Sequence, residues 1–241
     1  MDKRLVISMP LIIILLVLFG TGCYYDPAKD QEIRYPRLAV YHDIRPYTYD
    51  PKTILTVLDG GDGEIFQSLP DWGQERIYPP GSFAWQQQDY IKITSTLNRF
   101  VTQDNLEGWS VYSINASRDC ADTPLGFDNF AITYFKIVGD RYTTREMHVR
   151  ALAKEADWAG NMDFPRPFPL GWASIDLEKL KVTADDALQI AEANGGKAAR
   201  QRVNNACTIA VALAPNADDV NWGVYYFGGA ATLFHFSIYP Y

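Results

Sequence analysis

The chain has 241 residues, and 47% are hydrophobic, which is enough to fill a core and too much for a disordered chain. Its formal charge is −7, and no block of five like charges occurs. That balance excludes nucleic acid as a partner, because phosphate binding needs clustered Lys and Arg, and it excludes a polybasic grip on anionic lipid.

At the N-terminus, Lys3-Arg4 precede an apolar run from Leu5 to Phe19 that Pro10 interrupts, and Gly20-Thr21-Gly22 lead into Cys23. A spanning helix needs roughly 20 consecutive apolar residues, and this run is shorter. A basic start, a greasy middle and a small-residue end make a removable secretory leader. The segment resembles a bacterial lipoprotein signal peptide, in which the Cys becomes the lipidated first residue. The resemblance implies a signal peptide over 1–22, a lipid on Cys23, and a body that sits on a membrane without crossing it. An ordinary leader cut near Gly22 and an uncleaved anchor are the alternatives; both also place the body outside the cytoplasm. Residues 23–37, with Asp26, Pro27, Lys29, Asp30, Gln31 and Glu32, are too polar to build a core and read as a tether.

From Leu38 to Trp85, Pro46, Pro51, Gly60-Gly61, Pro70 and Pro79-Pro80-Gly81 punctuate short apolar runs, so strands and loops are expected. Residues 86–101 read as a helix. Tyr90, Ile93, Leu97, Phe100 and Val101 share one face of a 3.6-residue period, and Ser82 is a candidate cap. Strands are expected over 109–115, 130–138 and 141–149, with Gly139-Asp140 as a two-residue hairpin turn. Residues 150–181 read as a connector, Pro-rich over 161–181 and extended where Pro165, Pro167 and Pro169 alternate. Thr183 and Asp186 form a capping box for a second helix with Ala184, Ala187, Leu188 and Ala191 on its apolar stripe, and Gly195-Gly196 end it. Alternation then predicts strands over 207–213, 222–226 and 234–238.

Helix followed by three strands thus occurs twice. The expected fold is α+β, with two successive αβββ units, at 38–160 and 182–241, each curling an antiparallel sheet on its own helix. Residues 183–191, Thr-Ala-Asp-Asp-Ala-Leu-Gln-Ile-Ala, followed by Trp222-Gly223-Val224-Tyr225-Tyr226, resemble the PepSY family of small extracytoplasmic modules with a cystatin-like shape. That resemblance covers about residues 182–241. It implies protein or peptide binding, sometimes peptidase inhibition, and no catalytic residues.

Residue chemistry adds little. His42, His148 and His235 are not at metal-ligand spacing, so no metal or cofactor is expected. Ser82 reads as a helix cap rather than a nucleophile, Ser174 lacks a base nearby in sequence, and no Gly-x-Ser-x-Gly elbow or phosphate-cradling Gly-rich loop is present. The acidic loops Asp59, Asp62, Glu64 and Asp119, Asp122, Asp128 do not match a calcium-binding pattern and read as solvated turns. Cys120 and Cys207 either bridge, which an extracytoplasmic site permits, or remain separate thiols. The aromatics of 222–227 and 239–241 are strand formers that can also build a ligand platform. The expected function is that of a non-enzymatic, lipid-anchored protein that binds an envelope protein or peptide through sheet faces or edges. The alternative is an anchored hydrolase of envelope polymers that uses loop carboxylates such as Asp119 or Asp128.

Overall fold

The computed structural model describes residues 43–50, 66–68, 85–120, 126–139, 141–165, 174–216 and 219–241. The segments read as leader and tether, Cys23 and Ser82 lie outside them. In chain order the elements are β1 (Asp43–Tyr49), β2 (Phe66–Ser68), α1 (Gln87–Thr102), β3 (Ser110–Asp119), β4 (Asn129–Val138), β5 (Arg141–Arg150) and β6 (Glu155–Pro165). Then come α2 (Ala184–Ala191), α3 (Lys197–Gln201), β7 (Thr208–Asn216), β8 (Asp219–Gly228) and β9 (Ala231–Ile238). The strands form one nine-stranded antiparallel sheet in the order β2-β1-β6-β5-β4-β3-β7-β8-β9.

This corrects the expectation of two αβββ units. The meander β3-β4-β5-β6 and the meander β7-β8-β9 do not curl separately. Their first strands, β3 and β7, pair antiparallel from Ile114–Leu213 to Asp119–Thr208. A half-built sheet leaves a row of unpaired amides and carbonyls at its edge, and joining two such edges satisfies both. Beyond the last pair, Cys120 N–H donates to Cys207 O at 2.8 Å, and the two cysteines form a disulfide across 87 residues. The stretch read as a connector contains a further strand, β6. The tight turn Ala151–Lys154, with Lys154 at φ +56°, folds it back on β5.

The helices among the described residues cover one face. Tyr90, Ile93 and Leu97 of α1 are fully buried, as the periodicity predicts, against a face that carries Phe130, Ile132, Met147 and Val149. Phe100 departs from that stripe. It stays 42% exposed and meets the rings of Tyr47 and Phe66 at 5.6 and 5.8 Å, so it serves the β1-β2 end. The N-cap is Gln86, whose N–H donates to Asp89 Oδ2 at 3.2 Å. α2 starts as the capping box predicts, with Thr183 N–H donating to Asp186 Oδ2 and Asp186 N–H donating to Thr183 Oγ1. The two N-termini are pinned to each other. Gln87 N–H donates to Asp185 Oδ2 at 2.9 Å, and Ala184 N–H donates to Gln87 Oε1 at 2.7 Å.

Gly195-Gly196 bend the second helical segment rather than end it. Gly195 sits at φ +120°, and α3 continues beyond the bend. Gly196 also makes room: a Cβ there would lie 2.3 Å from the hydroxyl oxygen of Tyr226. That hydroxyl donates to Glu192 Oε1 at 2.7 Å, and Arg200 grips Glu192 across the bend through Nε and through Nη2 at 2.9 Å. At the far end of α1, Arg145 Nη1 reaches both carboxylate oxygens of Asp104, at 2.8 and 2.7 Å, and the guanidinium lies 4.1 Å over the Trp109 ring. Partial burial works against the Asp104 carboxylate, yet the Leu106 amide and Arg145 hold its pKa below the ordinary value. Among the described residues no helix is long and apolar enough to cross a membrane.

Replacing both Cys120 and Cys207 by Ser is expected to lower the free energy of unfolding by up to about 4 kcal/mol, read by urea denaturation. Arg145→Lys, which loses the planar contact with Trp109, is expected to cost about 1–3 kcal/mol in the same measurement.

Candidate functional site

Strand side chains alternate between faces, so every residue buried under the helices has neighbours that point the other way. On that opposite face the paired positions across β5, β4, β3, β7 and β8 run Arg150, Asn129, Ser117, Ala210, Tyr225 in one row. The next row runs His148, Ala131, Asn115, Ala212, Gly223. The centre of both rows holds short side chains. A cavity of about 250 Å³ opens there, lined on this face by Asn115, Ser117, Asn129, Ala131, His148, Arg150, Ala210 and Ala212, and no helix residue contributes to it. β5 and β8 are four strand spacings apart, so the trough is about 19 Å wide at backbone level.

Its two walls differ. On β5, Arg150 Nη2 lies 2.5 Å from Asp157 Oδ2, Arg150 Nε lies 3.4 Å from Glu155, and His148 Nε2 contacts Glu146 Oε1. These carboxylates orient the guanidinium and the imidazole, and Glu155 and Asp157 offset the charge of the guanidinium. Burial pushes the Asp157 pKa up, against the pull of Arg150. On β8, Tyr225 is stacked on His235 of β9 at 4.4 Å and on Phe227 at 6.0 Å. Tyr225 lies down over Gly223, where a Cβ would come within 2.6 Å of the ring. On the floor, Asn129 Nδ2 donates to Ser117 Oγ at 3.4 Å. The arrangement supplies amide and hydroxyl groups at the base, methyl groups between them, and a charged and an aromatic wall.

The aromatic run 222–227 is therefore divided by the sheet. Trp222, Val224 and Tyr226 are core, and Tyr225 and Phe227 face the trough side. His235 is an exposed sheet residue, and His148 stands in the β5 wall. Asp119 is exposed and Asp128 is buried. Asp128 Oδ2 accepts the Asp119 N–H at 3.1 Å, and neither residue lines the trough. Ser174 is exposed, and Asp185 and Asp186 serve the start of α2. His42, Asp59, Asp62, Glu64 and Asp122 lie outside the described residues. Among the described residues no three His, Cys, Asp or Glu side chains gather as a metal site. Sequence reasoning missed Asn115, Ser117, Asn129 and Arg150. The one signal available was the small residues that alternate with Ile209, Val211 and Leu213.

Comparison with family models, curated proteins and solved structures finds no match.

Asp157 gives a pH test. A carboxyl with a raised pKa in the fold takes up its proton before the unfolded chain does, so its charged form weakens the fold above that pKa. The penalty is relieved as pH falls through the folded value toward the ordinary carboxylate value of 3.8. Asp157→Asn is therefore expected to gain most on the wild type near neutral pH and to lose that advantage toward pH 4, read by urea unfolding across the interval.

Proposed function

We propose that this chain is a lipid-anchored, extracytoplasmic, non-enzymatic protein that binds a protein or peptide segment on the face of its sheet opposite α1 and α2. The observation that carries the reading is the open trough over Asn115, Ser117, Asn129, Ala131, Ala210 and Ala212. A peptide presents alternating backbone donors and acceptors, and side-chain amides and a hydroxyl answer both. The Ala floor admits a protruding side chain, and the stacked Tyr225 gives an aromatic wall at low entropic cost. Beside the trough, Glu146, Glu155 and Asp157 outnumber Arg150, and with the net charge of −7 they favour neutral or basic segments over acidic ones.

Location rests on the leader and its Cys23. The Cys120–Cys207 disulfide agrees with it, since such bonds persist in oxidising compartments. A non-enzymatic role rests on the polar groups of the trough: Ser117 is partnered by Asn129, and His148 by a glutamate. Neither contact is a nucleophile–base pair.

A displayed library of random peptides, selected on the immobilised full chain, tests the reading. Enriched peptides are expected to bind Ala212→Trp at least about tenfold more weakly, a loss of about 1.4 kcal/mol, while the near-UV circular dichroism of the fold is retained. A library that yields no enrichment, or peptides that bind the variant equally well, defeats it. Mass spectrometry of the mature protein reports acylation at Cys23; an intact, unmodified Met1 form removes the anchor.

A further inference from the structure

β9 ends the sheet, and among the described residues no strand pairs with its outer edge. Sheets normally protect such an edge with Pro, with charge, especially Lys, or with a very short strand. β9 has none of these. Its eight residues, Ala-Thr-Leu-Phe-His-Phe-Ser-Ile, carry no Pro and no Asp, Glu, Lys or Arg. The edge is also held in place: beyond it, Lys181 and Val182 N–H both donate to Pro240 O, at 2.8 and 3.2 Å. Ala231, Thr232, His235 and Ser237 are exposed. An open row of backbone donors and acceptors calls for another strand.

We infer that this strand is β9 of a second copy of the chain, paired antiparallel about a two-fold axis at Phe236. The register with β8 shifts at Leu233, which leaves Phe234–Ile238 as the regular stretch, and Phe236 is its midpoint. About that axis, Phe234 faces Ile238 of the second copy and Phe236 faces its own counterpart, all on the helix side. His235 faces Ser237 of the second copy on the other side. Apolar residues meet apolar residues and uncharged polar residues meet each other, so the edge complements itself. Two bodies of net charge −7 repel, and a strand without charge is where they can approach. The axis is perpendicular to the sheet, so the two copies present the faces opposite α1 and α2 on the same side. The pairing is independent of whether the trough binds peptide.

One strand pair makes a small interface, so monomer and dimer exchange. Sedimentation of the full chain with Cys23→Ser is expected to show a mass that rises with concentration toward twice the monomer. In that background Phe236→Cys places two thiols on the axis, at the Cα separation of directly opposed residues, and oxidation is expected to link them. His235→Cys offsets its thiols by two residues and is expected to link far more slowly. Ser237→Lys puts charge on the edge twice per dimer and is expected to weaken association about tenfold without changing the fold's circular dichroism. A mass that stays monomeric at every soluble concentration overturns the inference. So does Phe236→Cys linking no faster than His235→Cys, or Ser237→Lys associating as the parent does. Peptide capture by a strictly monomeric protein would leave the trough reading standing and remove this one.

Discussion

The antiparallel pairing of β3 with β7 is the contact on which the rest of the molecule depends. It joins two meanders that are far apart in sequence and turns two edges into an interior. The disulfide at Cys120 and Cys207 sits at the end of that ladder, in register with it. Closing a loop of 87 residues is costly in chain entropy, and a covalent link removes most of that cost from the folding equilibrium. Because the ladder runs through the middle of the sheet, the core on the helix side and the trough on the other side share the same two strands.

Specific polar contacts then hold the helices on a single face. Gln87 N–H donates to the Asp185 carboxylate, and the Gln87 side-chain oxygen accepts from Ala184 N–H, between the helix starts. Asp104 and Arg145 tie the end of α1 to β5, and Glu192, Arg200 and Tyr226 fix the bend before α3. Each pairs a charged or amide group at or near the core with a partner, which is the condition for keeping it there. With α1, α2 and α3 committed to one side, none of the described helices covers the short residues of β3, β4 and β7 on the other. The trough is a by-product of that asymmetry: Ala131, Ala210 and Ala212 are too small to fill the space between the wall on β5 and the aromatic ladder of Tyr225, Phe227 and His235.

Much of the local structure was legible. The stripe through Tyr90, Ile93 and Leu97, the capping box of Thr183 and Asp186, and the alternation through Ile209, Val211 and Leu213 all report contacts between residues a few positions apart. The errors have physical causes of the same kind. β6 was hidden because Ala156, Trp158 and Gly160 are too mixed in size to show a clean period, yet β5 supplies a complete hydrogen-bonding edge for them. Gly195 was expected to stop a helix, since a left-handed residue does so in isolation. Here Arg200 and Glu192 carry the helix across the bend.

The amino-acid sequence by itself determined where the described helices begin and which of their faces turn inward, because these depend on neighbours within one or two turns. Only the tertiary structure decided that the two halves share one sheet, that Asn115, Ser117, Asn129 and Arg150 line one trough, and that β9 is left at the edge. Backbone hydrogen bonds are the same for every residue type, so no side-chain code specifies which distant edges meet. That choice is made by the shape and register of whole strands once they are packed.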